Sequence, residues 1–305
     1  MLKGCEMELK LKGGILLCVA LIVCISACGS EHDSYLEEFD IIDNDTLPLL
    51  KGYESNTIMI AQWNIGHFSE GRSPNSSIKG DFYEHKKIEF KDLISDLSCN
   101  IISINEYSEV FGVDVNGIKQ KANSELFQDY TYQIIGHQNR YSCNAVFSKI
   151  PLFETKEIPY DCNQTAVITH TNAIKATDYY YMETTIWLKN KSVKYISTHL
   201  AFDNNNPEIA RNQIIELINN YRYEDYVIIC GDWNITDVSY YDLFLDAGFE
   251  LANHGTFGDY ITYGTNKILD NIVVKGLKIE SVGVKESVLS DHKPLYAKIS
   301  LEISE

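Results

Sequence analysis

Short apolar runs recur along this chain from residue 57 onward. Most either alternate with polar positions or are continuously apolar over strand length, and three longer stretches repeat every three or four residues instead. The first class predicts strands over 57–63, 101–104, 131–136, 144–148, 164–170, 179–188, 193–198, 226–230, 269–274, 278–284 and 295–302. The second predicts three helices. One spans 84–99 with Ile88, Leu93, Ile94 and Leu97 on one face. One spans 207–221, opened by Pro207 and repeating Ile209, Ile214 or Ile215, and Ile218. A short one covers 239–247. Strands follow one another without an obligatory helix between them. That argues for packed, mostly antiparallel or mixed sheets flanked by helices, not a doubly wound parallel sheet. No internal repeat is visible, and nothing breaks the domain between residues 56 and 305.

The first 27 residues stand outside this pattern. Lys3, Lys10 and Lys12 make a basic start, and Ile15 to Ile25 is an apolar core too short to span a bilayer comfortably. Ile25-Ser26-Ala27-Cys28 then resembles the bacterial lipobox, in which the Cys becomes the lipidated first residue. The competing reading is an uncleaved anchor with an incidental Cys. Residues 28–55 are acidic and irregular, with Pro48 near their end, and read as a tether. The expectation is an exported protein on the bacterial cell envelope, held to the membrane through lipid on Cys28.

Export changes the cysteine count. Cys5, Cys18 and Cys24 leave with the signal, so Cys99, Cys143, Cys162 and Cys230 remain in the domain. Cys143 and Cys162 flank a hairpin-like region and are the one candidate disulfide. Cys99 and Cys230 lie beside buried-looking strands and read as small hydrophobes. No spacing suggests zinc. The formal charge is −17, and removing the signal makes the chain one unit more acidic. Such a surface repels polyanions at long range and weighs against tight nucleic-acid binding. It leaves room for an enzyme that grips a few phosphates through a metal.

The candidate chemistry collects at strand ends. Asn64 closes the first strand, Asn105-Glu106 the second, and His199 the strand at 193–198; Asp232 and Asn234 follow the apolar strand 226–230. Asp270 enters the strand at 269–274, and Asp291-His292 precedes the last strand. Each has an ordinary reading: a turn cap for Asn64, a solvated strand end for Glu106, a structural imidazole for His199, an Asx-turn for Asp232 with Asn234. Tyr141 and Asn144, beside the Pro151 turn, could also face a site. In an extended segment i and i+2 share a face, so Asp232 and Asn234 are expected side by side, with Gly231 permitting a tight backbone departure. Asp270 is costly to bury unpaired, and its natural partner is a histidine.

The ordered set W-N-I (63–65), N-E (105–106), N-A-V-F-S-K-I-P-L (144–152), S-T-H-L (197–200), G-D-W-N (231–234), L-D-N-I-V-V (269–274) and S-D-H-K-P (290–294) resembles the endonuclease/exonuclease/phosphatase superfamily. The likeness covers about residues 56 to 302. It implies a four-layered α/β sandwich: two mostly antiparallel or mixed sheets face to face, with helices outside. It also implies roles. Glu106 would hold a divalent cation, Mg²⁺ or in its place Mn²⁺, with Asn64 beside it and Asp291 completing the metal side. Asp232 would orient or deprotonate the attacking water, and Asn234 would position the phosphate or that water. His292, oriented by Asp270, would contact the scissile phosphate. His199 would stabilise the transition state or protonate the leaving oxygen. Which histidine is acid and which is base stays open. Asn271 stands where many members carry an aromatic, and the 68–81 loop and the 109–128 segment match no subfamily.

The expected activity is therefore metal-dependent hydrolysis of a phosphate ester, phosphodiesterase- or nuclease-like, with a nucleic acid or nucleotide among the candidate substrates and a monomer as the expected state. The alternatives are a sphingomyelinase-like enzyme or sugar-phosphate phosphatase, and an inactive surface binding module on the same fold.

Overall fold

Two crossover units organise the chain in the computed structural model. Its described residues are 53–68, 81–137, 143–162, 165–169, 172–175, 179–202 and 207–302. The expected signal segment 1–27, Cys28, nearly all of the tether, the loop 69–80 and Tyr141 lie outside them. The first unit comprises β1 (Thr57–Asn64), α1 (Asp81–Leu97) and β2 (Ile101–Asn105). A meander follows: β3 (Val110–Val113), β4 (Lys119–Lys121), α2 (Ala122–Leu126), β5 (Tyr132–Ile135), β6 (Ala145–Ser148), β7 (Phe153–Pro159), β8 (Thr165–Thr169), β9 (Asn172–Lys175) and β10 (Tyr180–Leu188). The second unit is β11 (Lys191–His199), α3 (Pro207–Tyr221) and β12 (Val227–Asp232). The chain closes with α4 (Asp242–Asp246), β13 (Glu250–Leu251), β14 (Asp270–Lys275), β15 (Lys278–Val284) and β16 (Leu295–Ser300).

One six-stranded sheet has the order β15-β16-β1-β2-β6-β5, the other β13-β14-β12-β11-β10-β7. Within each, one pair is parallel, β1 with β2 and β11 with β12, and the other pairs are antiparallel. The helix crossing over in each parallel pair covers the outer face of its sheet. Ala61, Trp63, Ile102 and Ile104 pack against Phe90, Leu93, Ile94 and Leu97 of α1. Ile196, Val227 and Ile229 pack against Ile209, Ile214, Leu217 and Ile218 of α3. Between the sheets lie Ile58, Ile60 and Ile101 from one and Val193, Tyr195, Ile228, Cys230, Ile272 and Val274 from the other. The result is the four-layered α/β sandwich.

Several boundaries differ from the sequence reading. The first helix starts at Asp81, and its inner face is Tyr83, Phe90, Leu93, Ile94 and Leu97, while Ile88 is 55% exposed on the opposite side. Residues 239–247 divide into a 3₁₀ turn at Val238–Tyr240 and α4, because the Asp237 side chain caps the N–H of Ser239. The strands β3, β4 and β7 are not apparent in the apolar pattern. β7 reads Phe-Glu-Thr-Lys-Glu-Ile-Pro at a sheet edge, where charge discourages further pairing. Cys143 and Cys162 are not bonded to each other, so the candidate disulfide is not formed.

Candidate active site

The alternation that fills the space between the sheets also aims the polar groups. On β1, Ile58 and Ile60 point inward, and the same face continues to Gln62 and Asn64. By the same count β2 turns Ile101, Ser103 and Asn105 inward, β11 Tyr195, Ser197 and His199, β12 Ile228, Cys230 and Asp232, and β14 Asp270, Ile272 and Val274. Register completes the placement: Asn64 lies opposite Asn105, His199 opposite Asp232, and Asp232 opposite Asp270. Parallel partners end together, and the antiparallel β14 and β16 begin where β12 and β1 end. Five strands thus deliver polar side chains to one end of the inter-sheet core.

Most buried polar groups there are paired, while Gln62 Oε1, Ser197 Oγ and His199 Nδ1 have no hydrogen-bond partner among the described residues. Asn105 is wholly buried and uses its amide fully. Its Oδ1 accepts from Gln62 Nε2 (2.6 Å) and from the backbone N of Asp232 (2.8 Å). Its Nδ2 donates to Asn144 Oδ1 (2.7 Å) and to the Thr198 carbonyl (2.8 Å). One side chain therefore ties β2 to β11 and β12 of the other sheet. Gly231 contributes a close approach, not a turn. A Cβ there would stand 2.4 Å from the Thr198 carbonyl oxygen.

The centre is a carboxylate between two imidazoles. Asp232 Oδ2 lies 3.6 Å from His199 Nε2 and 3.5 Å from His292 Nε2, and accepts from Asn64 Nδ2 at 2.9 Å. His292 Nδ1 donates to Asp270 Oδ2 at 2.7 Å. Burial opposes charge on His292, but Asp270, then Asp232, outweigh it and raise its pKa to about 10. The ring is an imidazolium at neutral pH. Burial pushes the Asp232 carboxyl up, with His292 and His199 pulling against it. His199 is placed differently. Asn234 Nδ2 donates to both the Leu200 carbonyl (3.1 Å) and His199 Nε2 (2.7 Å), so Nε2 is an acceptor and the ring proton sits on Nδ1. Nδ1 is buried without a hydrogen-bond partner among the described residues.

Asp232 and Asn234 do not share a strand face as expected. The strand ends at Asp232, and Asn234 is left-handed, with φ 52°. Its N–H donates to Asp232 Oδ1 at 2.9 Å, so the Asx-turn forms and itself carries the amide to His199. Glu106 is left-handed as well (φ 52°), which swings its carboxylate to the mouth of the site. Oε1 accepts from Asn64 Nδ2 at 3.1 Å, while the side chain stays 35% exposed. Burial works to raise the Glu106 pKa, but His199, the Asn64 hydrogen bond and His67 together hold it below the usual carboxylate range. Asn64 turns nitrogen, not oxygen, toward both carboxylates, since its Oδ1 accepts from the N–H of Gly66. It orients Glu106 and Asp232. Asp291 stands exposed at the rim, its carboxylate accepting from Ser290 Oγ at 3.3 Å.

Two groupings could hold a divalent cation. Ligand atoms of Asp232, Asp270 and His292 lie within 4.8 Å of one another. The 2.7 Å hydrogen bond between His292 Nδ1 and Asp270 Oδ2, and the one Asp232 Oδ2 accepts from Asn64, occupy atoms an ion would need. Glu106 fits better: an anionic oxygen donor open to solvent, suited to a hard ion that keeps much of its water. Sequence reasoning missed three residues here. Gln62 is an inward neighbour of Asn64 at i−2, and that spacing could have revealed it. Tyr263 lies edge-on to the His292 ring, with centroids 4.8 Å apart. His67 stands 3.6 Å from Glu106 Oε2 and is held below its ordinary pKa chiefly by burial. Neither showed any periodic signal. Asn271 pairs instead with the backbone of Asn253, which holds the 253–268 loop to β14.

The sequence model of the endonuclease/exonuclease/phosphatase family matches residues 61–292, and the chain belongs to that family. No curated protein matches it by sequence. Among solved structures it is similar to D. rerio TDP2 complexed with a single-strand DNA product (TM-score 0.59, 12% identity, 81% of this chain and all of that one). It is also similar to the human Nocturnin catalytic domain with bound sulfate (0.58, 17%, 81% and 96%). A third is an endonuclease/exonuclease/phosphatase from Bacteroides vulgatus (0.55, 15%, 81% and 99%). At these identities the likeness is one of fold.

Proposed function

We propose that the chain is a divalent-metal-dependent phosphoric ester hydrolase, a nuclease-like phosphodiesterase, exported and held to the bacterial envelope by lipid on Cys28. The observation that carries the catalytic part is the placing of Asp232 Oδ2 between His199 Nε2 and His292 Nε2, with Asp270 behind His292. In-line displacement at phosphorus needs alignment and charge neutralisation more than covalent chemistry. Asp232 orients the attacking water. His292, held protonated, meets the negative charge growing on the phosphate oxygens. His199 Nε2, an acceptor in the resting site, takes the proton of that water as its oxygen bonds to phosphorus, and the leaving oxygen draws a proton from solvent as its own bond to phosphorus breaks. Glu106 holds the cation, Mg²⁺ or Mn²⁺, with Asp291 on the same side. When bound, the cation supplies Lewis-acid neutralisation of the phosphate.

The lipid anchor is supported by the basic start, short apolar core and Ser-Ala-Cys close of residues 3–28. Single-strand DNA in the D. rerio TDP2 structure and sulfate in that of Nocturnin support a phosphodiester substrate. The charge of −17 favours one gripped at a single phosphate over a long polyanion. The test is hydrolysis of bis-p-nitrophenyl phosphate with Mg²⁺ or Mn²⁺, before and after chelation. Turnover should stop on chelation and fall by orders of magnitude in Asp232→Asn and His292→Ala. Cation-independent turnover, or wild-type rates in both variants, refutes the assignment.

A further inference from the structure

The turn after β1 holds a feature that the carboxylate–imidazole centre does not use. Gly66, His67 and Phe68 are all left-handed, with φ of 57°, 52° and 58°. Successive left-handed residues bearing a Cβ are costly and persist only where their surroundings hold them. Two anchors do so. Phe68 is buried among Phe90, Tyr107 and Phe111, and the N–H of His67 donates to the Glu106 carbonyl at 2.8 Å. Glu106 is itself left-handed. Two adjoining strand ends thus turn an imidazole and a carboxylate toward each other.

Their separation is informative. His67 Nε2 is 3.6 Å from Glu106 Oε2, too far for an N–H···O hydrogen bond. Two ligand atoms each about 2.1 Å from one ion lie at most about 4.2 Å apart, so this gap suits a shared cation. Neither ring nitrogen of His67 makes a hydrogen bond among the described residues, and the side chain is 25% exposed, open to an ion arriving from solvent. Imidazole is a ligand for first-row transition ions, whereas Mg²⁺ takes oxygen.

We propose that His67 is a cation ligand acting with Glu106, and that it makes this site favour first-row transition ions over Mg²⁺. The proposal rests on the metal-dependent reading above. Mn²⁺ binds most weakly of that series and is the demanding probe. The test compares the wild-type protein with His67→Asn, since Asn tolerates a left-handed φ, and His67→Gly, which removes the conformational cost. Mn²⁺ and Mg²⁺ binding are measured by calorimetry, and nitrogen coupling to bound Mn²⁺ by electron spin-echo spectroscopy. Nitrogen coupling is expected in the wild type and absent from both variants. Mn²⁺ affinity should fall at least about tenfold while Mg²⁺ affinity changes far less. Coupling that survives in either folded variant, or a parallel loss of both ions, overturns the assignment. If the wild type binds both ions and the variants match it, only the role of His67 fails. If the wild type binds neither, the metal-dependent reading fails with it.

Discussion

Asp270→Asn tests the heart of the site, because it keeps the side chain's volume while removing the charge behind His292. The two groups are 2.7 Å apart and buried. At an effective dielectric near 20 their attraction is about 6 kcal/mol, and desolvation takes back several. Losing one partner should cost about 3 kcal/mol at neutral pH. Converted at 1.36 kcal/mol per pH unit, His292 should then titrate roughly two pH units lower than in the wild type. The sign follows from linkage. The folded pKa of His292 is raised to about 10. Its contribution to stability is therefore complete below the ordinary imidazole range and is lost as pH rises through about 10. The stability gap between wild type and variant should be constant near pH 6 and close as pH rises through roughly 8 to 10. Urea unfolding in chelator, followed by fluorescence of the buried Trp63 and Trp233, measures the gap, and NMR titration of the His292 ring measures its pKa. A gap unchanged up to pH 10, or a His292 titration unaffected by the substitution, would refute the imidazolium assignment.

Two further substitutions probe how the site is supported. Gly231→Ala would put a Cβ 2.4 Å from the Thr198 carbonyl oxygen, a backbone atom that cannot swing aside. The cost should be about 1–3 kcal/mol in thermal or urea unfolding, and wild-type stability would show that no close approach exists. Glu183 lies away from the site, buried beside Tyr221, Lys156 and Lys194. Burial works to raise its pKa, but these partners hold it lower overall. Its contribution is present above the ordinary carboxylate pKa and lost as pH falls through the depressed one. Glu183→Gln should cost about 1.5–3 kcal/mol at pH 7. The difference should vanish in acid, and one that persists at pH 3 would be inconsistent with this reading.

How much of this was legible in sequence differs from residue to residue. Asn64, Glu106, His199, Asp232, Asp270 and His292 stood out because each polar group ends or begins an apolar strand, a local contrast any reading of the chain can see. The pairing of Asp270 with a histidine was visible as a cost, since a buried carboxylate needs a partner. The Asn234 geometry was not. A two-residue period applies only while the chain stays extended, and a left-handed backbone there sends the amide to His199. Ile88 had the right residue type for its helix but the wrong phase for its core face. The edge strand β7 carries charge where an apolar pattern would be expected.

Period-two and helical patterning by themselves determined most of the strands, though not β3, β4 or β7, together with the two crossover helices and which polar residues could do chemistry, because periodicity and residue type are local properties. The meeting of those residues was decided by tertiary structure alone. Asn64 reaches Asp232 across 168 positions and Gln62 reaches Asp270 across 208, contacts set by strand order and register, which no local pattern encodes. The same pairing set the proton on His199, the charge on His292 and the gap between His67 and Glu106. Protonation and ligation depend on neighbours within a few ångströms in space, and here those neighbours come from distant parts of the chain.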